Sequence, residues 1–176
     1  TYYYIVIGKS YTTLLESNPS NEVSALPAYT IGWANLQWPF TITHTICTSP
    51  TVDIYGQVWI DGITQAPGAT PGLLAQVGYG PNESDPRANT AWTWYDAVYN
   101  GQSGNNDECK GNLLPEPVGE FDYVYRYSTD GAQNWVYAYQ DGLIADPFDA
   151  ARSGDLTVVA SSDILPPSAP VLTLED

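Results

Sequence analysis

Residues 114–128 read LPEPVGEFDYVYRYS. From Phe121 to Tyr127 every second residue is aromatic, with Asp122, Val124 and Arg126 between. Successive side chains of a strand point to opposite faces, so this period of two marks an extended segment with one apolar face. Pro115, Pro117 and Gly119 in front of it are turn residues. The stretch is therefore a strand entered through a Pro-rich corner.

Working outward, similar short runs recur along the chain. Ile31–Trp38 stops at Pro39, Ile42–Cys47 at Ser49-Pro50, and Ile54–Ile60 at Asp61-Gly62. Leu73–Tyr79, Trp92–Tyr99, Glu108–Leu114, Glu120–Ser128, Trp135–Gln140 and Leu156–Ala160 follow, each bounded by Gly, Pro, Asn or Asp. Helical periodicity is almost absent. Many short strands with turns at close spacing predict an all-β, immunoglobulin-like antiparallel β-sandwich. In such sandwiches the strand after the corner carries a tyrosine that bonds back to nearby backbone. Tyr123 is either that corner tyrosine or an ordinary core residue.

The 176 residues are 43% hydrophobic, enough for one ordinary core. No apolar run is long enough to span a membrane, and no signal peptide is evident. The start at Thr1 and the absence of Met predict a processed product or an excerpt. Five Lys+Arg against 20 Asp+Glu give a formal net charge of −15. Such a field repels nucleic acid and anionic membranes, so neither is an expected partner. Cys47 and Cys109 lack the spacing of a redox or metal motif. They read as a structural disulfide, which places the protein in an extracellular or cell-surface setting. Closing that loop would stabilise the fold by on the order of 4 kcal/mol.

Catalytic patterns are missing. His44, the only histidine, has no acid neighbour in Thr-Ile-Thr-His-Thr-Ile and reads as a half-exposed strand residue. Most carboxylates fall in Asp-Gly turns. No cofactor is expected, although Asn106, Asp107 and Glu108 place three oxygen-bearing side chains in a row and make Ca²⁺ possible. Trp92, Trp94 and Asp96 alternate onto one strand face, which is either a sugar-stacking platform or a packed core face. Trp33, Trp38, Trp59 and Trp135 read as core or hairpin packing. Ser128–Trp135 resembles an Asp-box, a structural hairpin turn.

Tyr2-Tyr3-Tyr4 and Ser20-Asn21-Glu22-Val23-Ser24-Ala25 resemble the last two strands of a fibronectin type III domain, and Pro166–Leu172 resembles the first strand of another. Between them, Gly32–Pro39, Tyr55–Val58, Gln76–Pro81, Gly104–Glu108 and Tyr123–Ser128 resemble an accessory module of large secreted bacterial proteins. Relatives of that module occur beside glycoside hydrolases such as amylopullulanases. The resemblance implies an incomplete fibronectin III-like terminal hairpin at 1–27, a sandwich module at 28–163, and a Pro-rich linker with an extended C-terminal strand at 164–176. Many relatives carry Cys where Ala34 and Ala138 stand here, which implies that these two face each other.

Two functions follow. The first is a non-catalytic extracellular structural protein, a filament or surface-fibre subunit. It would form a homo-oligomer or polymer by β-strand addition, with Tyr2, Tyr4, Val6, Val171 and Leu174 filling a neighbour's groove. The second is an accessory module that binds a starch-like α-glucan, with polysaccharide as its partner.

Overall fold

The computed structural model describes residues 2–10, 12–13, 15–19, 23–25, 28–46 and 49–161. β1 (Tyr2–Tyr4) and β2 (Val23–Ala25) pair antiparallel as a two-stranded sheet, Tyr2 opposite Ala25 and Tyr4 opposite Val23. The strand expected over Tyr2–Ile7 is thus shorter. Beyond Tyr4 the hairpin is held by a Lys9–Glu16 bridge, with an ion pair of 3.5 Å. Val6 is 71% exposed, while Val171 and Leu174 lie outside the described residues.

The main sheet contains β3 (Trp33–Trp38), β4 (Thr41–Thr45), β5 (Ile54–Trp59), β6 (Leu74–Pro81), β7 (Thr93–Ser103), β8 (Asn106–Gly111), β9 (Gly119–Ser128), β10 (Val136–Ala138) and β11 (Gly154–Val159). Its order is β3-β5-β8-β7-β6-β9-β11-β4, with β10 also on β9. Each of the nine strand-like runs of this region is a strand. The sheet turns over at β7, which pairs with β6 through Thr93–Ala97 and with β8 from Val98 onward. One layer is β3-β5-β8 with the second half of β7. The other is the first half of β7 with β6-β9-β11-β4 and β10.

Pro39 divides the first sandwich strand between the layers. Proline has no N–H to give to a ladder, and β3 accordingly ends at Trp38. Only Pro39 and Phe40 separate β3 from β4, and the two strands do not pair. β4 is therefore delivered to the opposite layer, where it runs parallel to β11 from Thr41 opposite Asp155 to Thr45 opposite Val159. The all-β sandwich expected from the sequence is present, and β4 with β11 is the one parallel pair among its antiparallel strands in the described residues.

Between the layers the aromatic face of β9 supplies the largest side chains. Tyr123, Tyr125 and Tyr127 are fully buried, and the rings of Tyr125 and Tyr127 stack with centroids 5.7 Å apart. Gly56 on β5 makes room for them, since a Cβ there would lie 2.6 Å from the Tyr127 hydroxyl and 2.7 Å from Cγ of Tyr125. Tyr125 donates to the Ile54 carbonyl at 2.6 Å. Tyr123 donates to the Pro39 carbonyl at 2.6 Å, 84 residues away in sequence. A corner tyrosine would bond locally, so Tyr123 is the core tyrosine of the two readings.

Ala34 and Ala138 are both fully buried in this core. Their strands meet where the Leu36 amide donates to the Tyr139 carbonyl at 3.0 Å. Cys109 is buried and carries a free thiol. Burial, helped by Asp107 and Glu108, pushes that thiol up to about 12. Cys47, its expected disulfide partner, lies outside the described residues.

Candidate functional site

The outer face of the β7-β6-β9-β10 layer holds the aromatic residues singled out in the sequence. Glycine on β6 shapes it. Gly78 lies opposite Trp94, and a Cβ at Gly78 would press into the Trp94 ring, as one at Gly80 would into Trp92, at 2.5 Å. Both indoles thus lie flat against bare backbone. They stack on each other with centroids 5.6 Å apart and planes 22° from parallel.

A polar row runs beside them. Asp96, Gln76, Arg126 and Tyr137 are register neighbours across β7, β6, β9 and β10. Gln76 donates to Asp96 at 2.8 Å and accepts from Arg126 Nε and Nη2 at 2.9 and 2.6 Å. The guanidinium lies 3.8 Å above the Trp94 ring and 4.1 Å from that of Trp135. Cation–π attraction of this kind contributes roughly 0.5–2 kcal/mol, more as water is excluded. Burial is the main influence on Arg126 and lowers its pKa.

This arrangement closes the expected platform. Trp92 is buried, donating from Nε1 to Ser84 Oγ at 2.9 Å. Val124 and Tyr139 pack with it, and Trp94, Tyr137 and Phe148 cover the cluster. Trp94 has backbone on one face and Arg126 on the other. The strand face is a second, smaller core on the outside of the sheet, which was the other reading of its alternation; Asp96 alone of the three is exposed. Sequence reasoning missed Arg126 and Gln76 as members. Their places on neighbouring strands follow from pairing register, which no local pattern carries.

Asn106, Asp107 and Glu108 do not converge. They are consecutive residues of β8, so Asp107 points inward while its neighbours point outward. Asp107 is fully buried and accepts from the Thr70 amide at 2.9 Å. Asn106 donates to Gln57 at 2.9 Å, and Glu108 accepts from Asn100 at 2.6 Å. Among the described residues, no three His, Cys, Asp or Glu side chains are placed to hold a metal ion. The three side chains are therefore split between the two faces of β8 and do not share one site.

Ser128–Trp135 is a turn organised by one carboxylate. Asp130 Oδ1 accepts from Ser128 Oγ at 2.8 Å and from the amides of Gln133 and Asn134 at 3.1 and 3.0 Å. These bonds, led by the Asn134 amide, hold the exposed carboxyl down at about 2. His44 sits half-buried on β4 opposite Val158.

The remaining tryptophans divide. Trp33 and Trp59 are register partners and pack over Gly142 and Gly32, and Trp135 covers Arg126. Trp38 breaks the expectation of core or hairpin packing, because it is 57% exposed.

No protein-family model matches the sequence. It is similar to a segment of the amylopullulanase of Thermoanaerobacter thermohydrosulfuricus, 38% identical over 173 residues that cover 89% of this chain and 11% of that protein. The amylopullulanase of Thermoanaerobacterium thermosulfurigenes is 32% identical over 178 residues, 89% of this chain and 8% of that protein. That of Thermoanaerobacterium saccharolyticum is 33% identical over 180 residues, 89% and 12%. The chain spans about a tenth of the length of these relatives.

Proposed function

We propose that this chain is a non-catalytic accessory module that binds α-glucan beside a secreted glycoside hydrolase. One observation carries the reading: the match takes in 89% of this chain yet only 8–12% of each amylopullulanase. A segment of that size, with a self-contained sandwich core, is a module of the enzyme rather than the enzyme. The relatives are named for action on pullulan and amylose-like glucans, and a module beside such an active site meets those polymers first. The strand order agrees with an immunoglobulin-type sandwich, in which the last strand lies beside a split first strand. The boundaries 1–27, 28–163 and 164–176 belong to the same modular reading, as does an extracellular location. No helix among the described residues is long and apolar enough to cross a membrane.

The filament reading has less behind it. The relatives are enzymes by name, and β1 finds its partner in β2 of the same chain. Native electrophoresis through gels containing soluble starch or pullulan tests the proposal. Retardation relative to a glucan-free gel is the expected result. Unchanged mobility in both gels would discard glucan binding and leave a spacer module.

A further inference from the structure

We infer that the glucan site lies on the opposite layer from the buried tryptophans, on a strip formed by Trp38, Tyr55, Lys110 and Val98. The inference rests on the glucan-binding reading and assigns it a place.

A bulge creates the strip. Along β3, Ala34 and Leu36 point inward and are fully buried, so simple alternation would send Trp38 inward as well. The register shifts between Leu36 and Trp38: Leu36 pairs with Gly56, and Trp38 with the very next residue back, Tyr55. The extra residue turns Trp38 over to the outer face. Bulges are over-represented at sheet edges, where β3 lies, and beside functional sites, where they re-aim a side chain. An indole left 57% exposed is not explained by packing, since it gives up most of the burial that a core tryptophan gains.

Register continues the strip across the layer. Trp38 lies opposite Tyr55, Tyr55 opposite Lys110, and Lys110 opposite Val98. Residues opposite one another share a face, so these four form one row, three inter-strand steps of about 4.8 Å or roughly 14 Å long. Val98 is 61% exposed. The Trp38 and Tyr55 rings stand 6.3 Å apart, tilted by 36°. Lys110 pairs with Asp53 at 3.4 Å, and Asn112 reaches the same carboxylate at 3.5 Å. These contacts are long enough to leave donor and acceptor capacity for a ligand.

The chemistry of the strip fits a neutral polyol. C–H faces of a pyranose stack on aromatic rings, and ring hydroxyls take hydrogen bonds from groups at the margin. A net charge of −15 discourages anionic polymers and leaves neutral glucans unaffected. The 36° tilt favours the curved α-linked chain, whose successive rings turn relative to one another, over a flat β-linked chain.

Titration calorimetry with maltoheptaose and with cellohexaose tests the assignment on the full chain. The wild type is expected to bind maltoheptaose and not cellohexaose. Trp38→Ala should weaken maltoheptaose binding by about tenfold or more, Trp38→Tyr should restore part of it, and Trp135→Ala on the other layer should leave it unchanged. An unchanged melting curve shows that Trp38→Ala has kept the fold. Wild-type affinity in Trp38→Ala would overturn the site while leaving glucan binding intact. Equal binding of cellohexaose would overturn the α-glucan preference, and a wild type that binds neither would remove both the site and the reading beneath it.

Discussion

The Tyr123 hydroxyl is bound to the Pro39 carbonyl, 2.6 Å away and 84 residues earlier in the chain. Both residues are buried. The bond holds β9, the centre of one layer, to the point where the first sandwich strand crosses between layers. Tyr123→Phe removes the donor and leaves a buried carbonyl unpaired, which is expected to lower stability by about 1–3 kcal/mol. The urea midpoint should fall with an unchanged m value. Tyr127→Phe is the matched control. Its buried hydroxyl has no partner, and removing it should be neutral or stabilising.

Gly78→Ala would drive a methyl group into the Trp94 ring. Overpacking of this kind costs about 1–3 kcal/mol. It should also change the near-ultraviolet circular dichroism of the stacked Trp92 and Trp94. Gly101→Ala, whose added Cβ meets nothing within 4 Å, should change neither quantity to a comparable degree. Equal effects of the two substitutions would show that the glycine floor does not position the indoles.

Asp130 sets an acid dependence. Its folded pKa is held at about 2, below the unfolded value of ~3.9. The stabilisation is therefore complete above the unfolded pKa and disappears as pH falls from about 4 through about 2. Melting temperatures from pH 5 down to pH 2 should drop more steeply for the wild type than for Asp130→Asn. Parallel curves would show that the carboxylate charge is not what the turn uses.

Cys109 should be inert in the folded protein, since its buried thiol is pushed up to about 12 and the thiolate is the reactive form. Ellman's reagent at pH 8 is expected to leave Cys109 untouched in buffer and to report it in denaturant without reductant. Complete silence in denaturant would reveal a disulfide to Cys47 instead.

The strands were legible because each uses a local signal. Alternation over Phe121–Tyr127, β-branched runs such as Thr41–Thr45, and Gly or Pro at the ends need no partner to be recognised. Pairing is different. That Trp94 lies over Gly78, or that Arg126 inserts between Trp94 and Trp135, depends on register between segments distant in sequence. The alternation of Trp92, Trp94 and Asp96 was visible, but alternation alone does not say whether a face meets solvent or a covering loop such as that of Tyr139 and Phe148. Trp38 is the sharpest case. Its orientation depends on one extra residue in β3 relative to β5, which the pattern of β3 alone does not contain.

The parallel pairing of β4 with β11 has a mechanical consequence. Tension on the polypeptide pulls β4 back from its Thr41 end and β11 forward from its Val159 end. The five register pairs between them are then loaded together, in shear, and do not open one after another like a zip. Resistance to forced unfolding is governed by the unfolding barrier rather than by equilibrium stability. A sandwich threaded in this way would resist extension at the β4–β11 seam more than its equilibrium stability alone implies.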